Sequence, residues 1–86
     1  MRTFLLKISS PDGDVFSDNV ISISVRGTEG DLAVLAGHIP FVSYVQPCDI
    51  KIVMEDSSEK LGMVGGGVLV VSPEKTILLS GDFNWK

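Results

Sequence analysis

With 86 residues, 44% of them apolar and 21% charged, the chain lies far from the composition of disorder and has the length of one domain, residues 1–86. A net charge of −4 without any Lys/Arg cluster removes the basic face that nucleic-acid binding or attraction to anionic lipid requires. No apolar run approaches the roughly 20 residues of a membrane span, so no direct membrane insertion is expected.

The chain opens on Met1-Arg2-Thr3, and Lys7 interrupts the apolar residues too early for a secretory signal. Phe4, Leu6 and Ile8 then alternate with Thr3, Leu5 and Lys7, which predicts a first strand. Pro11-Asp12-Gly13 predicts a turn, because proline pre-sets one dihedral and glycine tolerates the other. Ile21, Ile23 and Val25 alternate with Ser22, Ser24 and Arg26, the cleanest half-buried strand in the chain. Gly27-Thr28-Glu29-Gly30 punctuates it. Ile50, Ile52 and Met54 repeat the period of two and end at the turn Asp56-Ser57-Ser58. Ile77 and Leu79 do so again between Thr76, Leu78 and Ser80, after the turn Ser72-Pro73-Glu74. β-branched residues are dense in these runs, as a pleated surface favours. Short strands with turn signals every ten residues or so predict an all-β fold, a small two-sheet sandwich.

Glycines inside Val64-Gly65-Gly66-Gly67-Val68 predict a bulge, a sharp bend or a close backbone approach. A phosphate-cradling loop would need a following helix, and strand-like Val68-Leu69-Val70-Val71 follows instead.

Catalytic chemistry finds little material. His38 is the only histidine, and no orienting carboxylate or nucleophile accompanies it in sequence. Cys48 is the only cysteine, so no intramolecular disulfide forms, and a lone thiol fits a reducing compartment. The acids Asp12, Asp14, Asp18, Glu55, Asp56 and Glu59 have neither calcium-loop spacing nor the aromatic cleft of a glycosidase, and read as solvated charges. No cofactor, no metal site and no catalytic residue is expected. From the residues alone the chain reads as a small acidic sandwich that binds a protein; a small hydrolase built around His38 is a further class.

The stretch Val25-Arg26-Gly27-Thr28-Glu29-Gly30-Asp31-Leu32-Ala33-Val34-Leu35-Ala36-Gly37-His38-Ile39-Pro40 carries more. It resembles the epsilon-subunit pattern of bacterial F-type ATP synthases: a G-[ST]-E-G-[DE] loop, a short strand, then P-G-H-x-P. Ser10-Pro11-Asp12-Gly13-Asp14-Val15-Phe16 after the first strand, Pro47 before Ile50-Lys51-Ile52, and Gly65-Gly66-Gly67-Val68-Leu69-Val70-Val71-Ser72-Pro73 agree in order and spacing. Departures are Ala36 in place of proline, Cys48-Asp49 after Pro47, and Gly65 in place of serine.

The resemblance implies a non-catalytic rotor-stalk subunit at the cytoplasmic face of the bacterial inner membrane, held there by the complex. It would dock on the gamma subunit and on the polar loops of the c-ring, coupling ion-driven rotation to ATP synthesis elsewhere. Matching motif positions place Thr28, Glu29, Gly30 and Asp31 at the c-ring, whose polar loops present arginine to such carboxylates. Ser10, His38, Ile39, Phe41, Val42 and Ser43 fall on the gamma-facing surface, with alternation leaving either Phe41 or Val42 to the core. Family members continue into a two-helix hairpin that inhibits hydrolysis and in some binds ATP. This chain ends at Gly81-Asp82-Phe83-Asn84-Trp85-Lys86, so neither property is carried over. The alternative is a stand-alone β-sandwich adaptor or regulator unrelated to ATP synthase.

Overall fold

Each apolar alternation becomes a strand, and the turns between them are made by the residues that tolerate unusual dihedrals. The computed structural model describes residues 2–27, 30–37 and 39–86, and every regular element in them is a β-strand. In chain order these are β1 (Phe4–Ser10), β2 (Gly13–Gly27), β3 (Gly30–Leu35), β4 (Phe41–Val45), β5 (Cys48–Met54), β6 (Glu59–Val64), β7 (Gly67–Val71), β8 (Lys75–Ser80) and β9 (Phe83–Trp85).

The architecture turns on β2, whose 15 residues serve both layers of a sandwich. Its first half pairs with β1, which continues through β8 and β7 to β4. From Val20 onward it pairs with β5, which continues through β6 to β9, while β3 lies on its other edge. The changeover coincides with a bulge: Val20 faces Met54 and Ser22 faces Val53, leaving Ile21 extra. A bulge bends a strand and strengthens its twist, which lets one strand turn the corner between two sheets. The same bulge shifts the side-chain phase by one. Val20 and Ile23 are therefore both fully buried, and Ile21, expected in line with Ile23 and Val25, is only half-buried. Gly27 pairs with Gly30 of β3 and with Val45 of β4, tying the two layers together at one end.

The core lies between the layers. Leu6, Ile8, Leu69, Val71 and Leu78 come from one, and Ile23, Val34, Ile50, Ile52 and Val64 from the other. Burial of each contributes on the order of 1.5–3 kcal/mol before the entropy of ordering the chain is charged against it.

β8 corrects the expected phase. Thr76, Leu78 and Ser80 point inward, whereas Ile77 is half-buried and Leu79 is exposed. Register decides this, because residues opposite each other share a face. Leu78 lies opposite Leu69 of β7 and Ile8 of β1, both buried. The inward hydroxyl of Ser80 is satisfied: it donates to the Gly66 carbonyl at 2.8 Å and accepts from the Asp82 N–H at 3.3 Å.

The strand β9 has no counterpart in the alternation and pairs with β6. Phe83 packs over Gly62, where a Cβ would come within 2.9 Å of the ring. Trp85 stands edge-on to both Phe83 and Phe16, at 4.8 and 5.6 Å between ring centroids. The glycine run behaves as expected. Gly66 turns the chain at φ +102°, and a Cβ on Gly67 would overlap the carbonyl oxygen of Leu79.

Candidate docking surfaces

Strands with one polar and one apolar side bury the apolar side and leave the other to water. β7 and β8 do not follow that rule. Val68-Leu69-Val70-Val71 and Ile77-Leu78-Leu79 are apolar on both sides, so filling the core leaves apolar side chains outside. Register lines these up with β4 in two rows: Val42–Val70–Ile77 and Tyr44–Val68–Leu79. Val42 is 67%, Tyr44 71% and Leu79 47% exposed. Contiguous apolar surface of this kind marks a place where another molecule sits. On the β1 flank the rows end in Lys7 and Ser9. Both meet Asp14: Lys7 Nζ at 3.3 Å, and Ser9 Oγ donating at 2.8 Å. The Ser9 hydroxyl, with help from Lys7, holds the Asp14 carboxyl below its ordinary value of 3.8.

The expected gamma-facing residues divide along this geometry. Val42 faces outward in the first row, and Ile39, just before β4, is 74% exposed. Phe41 packs against the core, so alternation resolves the pair in favour of Val42 as the surface residue. Ser43 shares the half-buried side with Phe41. Ser10 closes the opposite flank at the end of β1, its hydroxyl donating to the Gly13 carbonyl at 3.1 Å. His38 lies outside the described residues.

At the other expected surface, Gly30 adopts φ +127° at the start of β3, and Asp31 follows it, exposed. Asp31 sits directly across from Arg26, with 3.3 Å between Nε and Oδ1. An exposed pair of this kind contributes little to stability, which leaves the carboxylate free to exchange partners. Thr28 and Glu29 lie outside the described residues.

Among the other acids, Asp56 holds local structure. Asp56 accepts from both the hydroxyl and the backbone N–H of Ser58, and these two bonds, the hydroxyl first, hold its pKa below 3.8. Among the described residues no group of three His, Cys, Asp or Glu side chains converges as metal ligands. The apolar rows around Val68, Val70 and Ile77 were absent from the sequence-derived site. Their signal was the unbroken apolar runs, which call for cover on both faces of a sheet.

Residues 3–86 match the family model described as ATP synthase, Delta/Epsilon chain, beta-sandwich domain. The chain belongs to that family. An ATP synthase epsilon chain of Acetobacterium woodii, described as sodium ion specific, is 37% identical over 84 residues. That match takes in 98% of this chain and 63% of the relative, so the chain spans less than two thirds of the relative's length. The fold recurs in the Euglena gracilis mitochondrial ATP synthase, with a TM-score of 0.91 at 21% identity over 96% of this chain and 53% of that one. It recurs also in the central stalk and c-ring structure of the Tetrahymena thermophila mitochondrial enzyme, with a TM-score of 0.77 at 14% identity. There the match covers 95% of this chain and 66% of the other. Family membership separates the chain from the unrelated stand-alone adaptor.

Proposed function

We propose that the domain is a non-catalytic coupling element of the rotor stalk of an F-type ATP synthase. It docks on the gamma subunit through the outer face of β4, β7 and β8, and meets the polar loops of the c-ring at the Gly27–Asp31 end. Through these two contacts it helps pass ion-driven rotation to gamma, on the cytoplasmic face of the bacterial membrane. The observation that carries the reading is the outward apolar pair of rows containing Val42, Tyr44 and Leu79. A face of that character on a family member calls for a permanent protein partner. A strand-built body with a filled core suits the task, because packed interiors deform little under load.

Binding of purified gamma subunit by calorimetry tests the docking face. Val42→Asp with Tyr44→Asp places two charges in the rows and is expected to weaken binding by about 100-fold or more. Leu61→Asp with Met63→Asp, also exposed (48% and 47%) but on the other layer, is expected to stay within about 3-fold. Equal effects from the two pairs would remove the face assignment. For the ring contact, Glu29→Lys with Asp31→Lys is expected to lower ATP-driven ion pumping in membranes while leaving the fold intact. Unchanged pumping would sink that half of the reading.

A further inference from the structure

The cations of this chain are not distributed evenly between partners. Lys7, Arg26, Lys51 and Lys86 pair with Asp14, Asp31, Glu59 and Asp49, and Lys60 lies over the Trp85 ring at 5.4 Å. Among the described residues, Arg2, Lys60 and Lys75 have no carboxylate at ion-pair distance, and of these only Lys60 has an aromatic ring in its place. That is unexpected where 11 acids face 7 bases.

Arg2 and Lys75 stand at the end of the β4–β7–β8 layer where β4 and β8 begin and β7 ends. Lys75 lies opposite Leu5 and one position before inward-facing Thr76, so it shares the outer face with Ile77. Arg2 precedes β1 and lies against Gly37, in a cleft lined also by Leu35, Ile39 and Glu74. Glu74 shares this cleft without forming an ion pair with Arg2. Ile39, just before β4, is 74% exposed and also lines the cleft, so the cleft lies at that same end of the layer.

Covering the rows with a partner takes water from charges at their edge, and a charge so desolvated is strongly unfavourable unless paired. We propose that the surface seated on β4, β7 and β8 is apolar at its centre and carries carboxylates at one end, where they meet Arg2 and Lys75. This names the partner's chemistry and rests on the gamma-docking reading. Opposite charge at the rim sets the orientation of docking and speeds encounter more than it tightens the complex.

Association kinetics with purified gamma test it, measured at about 20 mM and about 500 mM salt, where screening differs several-fold. The control, Lys51→Glu with Lys86→Glu, makes the same change in net charge on the opposite layer. Arg2→Glu with Lys75→Glu is expected to slow association about 10-fold or more at low salt, with most of the difference lost at high salt. The control is expected to slow it no more than about 3-fold. Equal slowing by both variants would show that only net charge matters and would overturn the proposal. No slowing by the Arg2/Lys75 variant, with binding still lost in the Val42/Tyr44 variant, would overturn it while leaving the docking face in place. Loss of effect in the Val42/Tyr44 variant as well would remove the docking reading and this inference with it.

Discussion

The outer side of β2, β3, β5 and β6 carries Arg26, Asp31, Asp49, Lys51 and Glu59, locked two by two or to Lys86 in exposed ion pairs and interspersed with exposed Leu35, Leu61 and Met63. The outer side of β4, β7 and β8 carries Val42, Tyr44, Val68, Val70, Ile77 and Leu79. Both sides enclose the same core, so core packing does not explain the difference. Exposed ion pairs contribute at most about 1 kcal/mol each, and they keep a sheet hydrated. Exposed valines and leucines do nothing for an isolated domain, and their presence in rows points to a surface that is covered in the working assembly. On the proposed reading, the gamma subunit covers the apolar layer, and the charged layer meets the c-ring only at its Asp31 end.

Adjacent leucines on β8 test that contrast most severely. Leu78 is fully buried, and Leu78→Ala is expected to cost about 3 kcal/mol of stability by leaving a cavity. Leu79→Ala, one position on and facing outward, is expected to cost less than about 1 kcal/mol in urea unfolding but to weaken gamma binding measurably. If both variants lost stability equally, the two faces of β8 would not differ as described. Ser80→Ala comes next in size. It removes an inward hydroxyl and leaves the Gly66 carbonyl and the Asp82 N–H short of a partner, for an expected loss of about 1–2 kcal/mol in the same assay. Full stability in that variant would mean that β7 and β8 do not depend on this bridge.

The smallest effect belongs to the exposed acids. Asp14 and Asp56 have folded pKa values below the ordinary 3.8, so each favours the folded state above that pH. Their contribution is lost as pH falls from about 5 through the lowered values. Asp56→Asn is expected to flatten the acid side of a stability profile followed by urea midpoints. An unchanged slope would show that the Ser58 bonds do not persist in solution.

Much of this was legible in the residues. Alternation at Phe4, Leu6 and Ile8, and at Ile50, Ile52 and Met54, placed side chains on the correct faces, because a strand's period of two is local. The turn at Pro11-Asp12-Gly13 and the close approach at Gly67 followed from what proline and glycine permit. Of the residues the family motif put toward gamma, Ile39 and Val42 are exposed, while Phe41 and Ser43 are half-buried. Three things depended on contacts between distant residues. The bulge at Ile21 reset the phase of β2 through its pairing with β5. The register against β1 and β7 turned Leu78 inward and Leu79 outward, although both are leucine. The three residues of β9 became a strand only because β6 offers a free edge and Gly62 leaves room for Phe83. By itself the sequence determined strands, turns and family, since those depend on local dihedral preference and motif spacing. Tertiary structure decided which side of a doubly apolar strand is core and which is outer surface, because that choice is made by the register of the neighbouring strands.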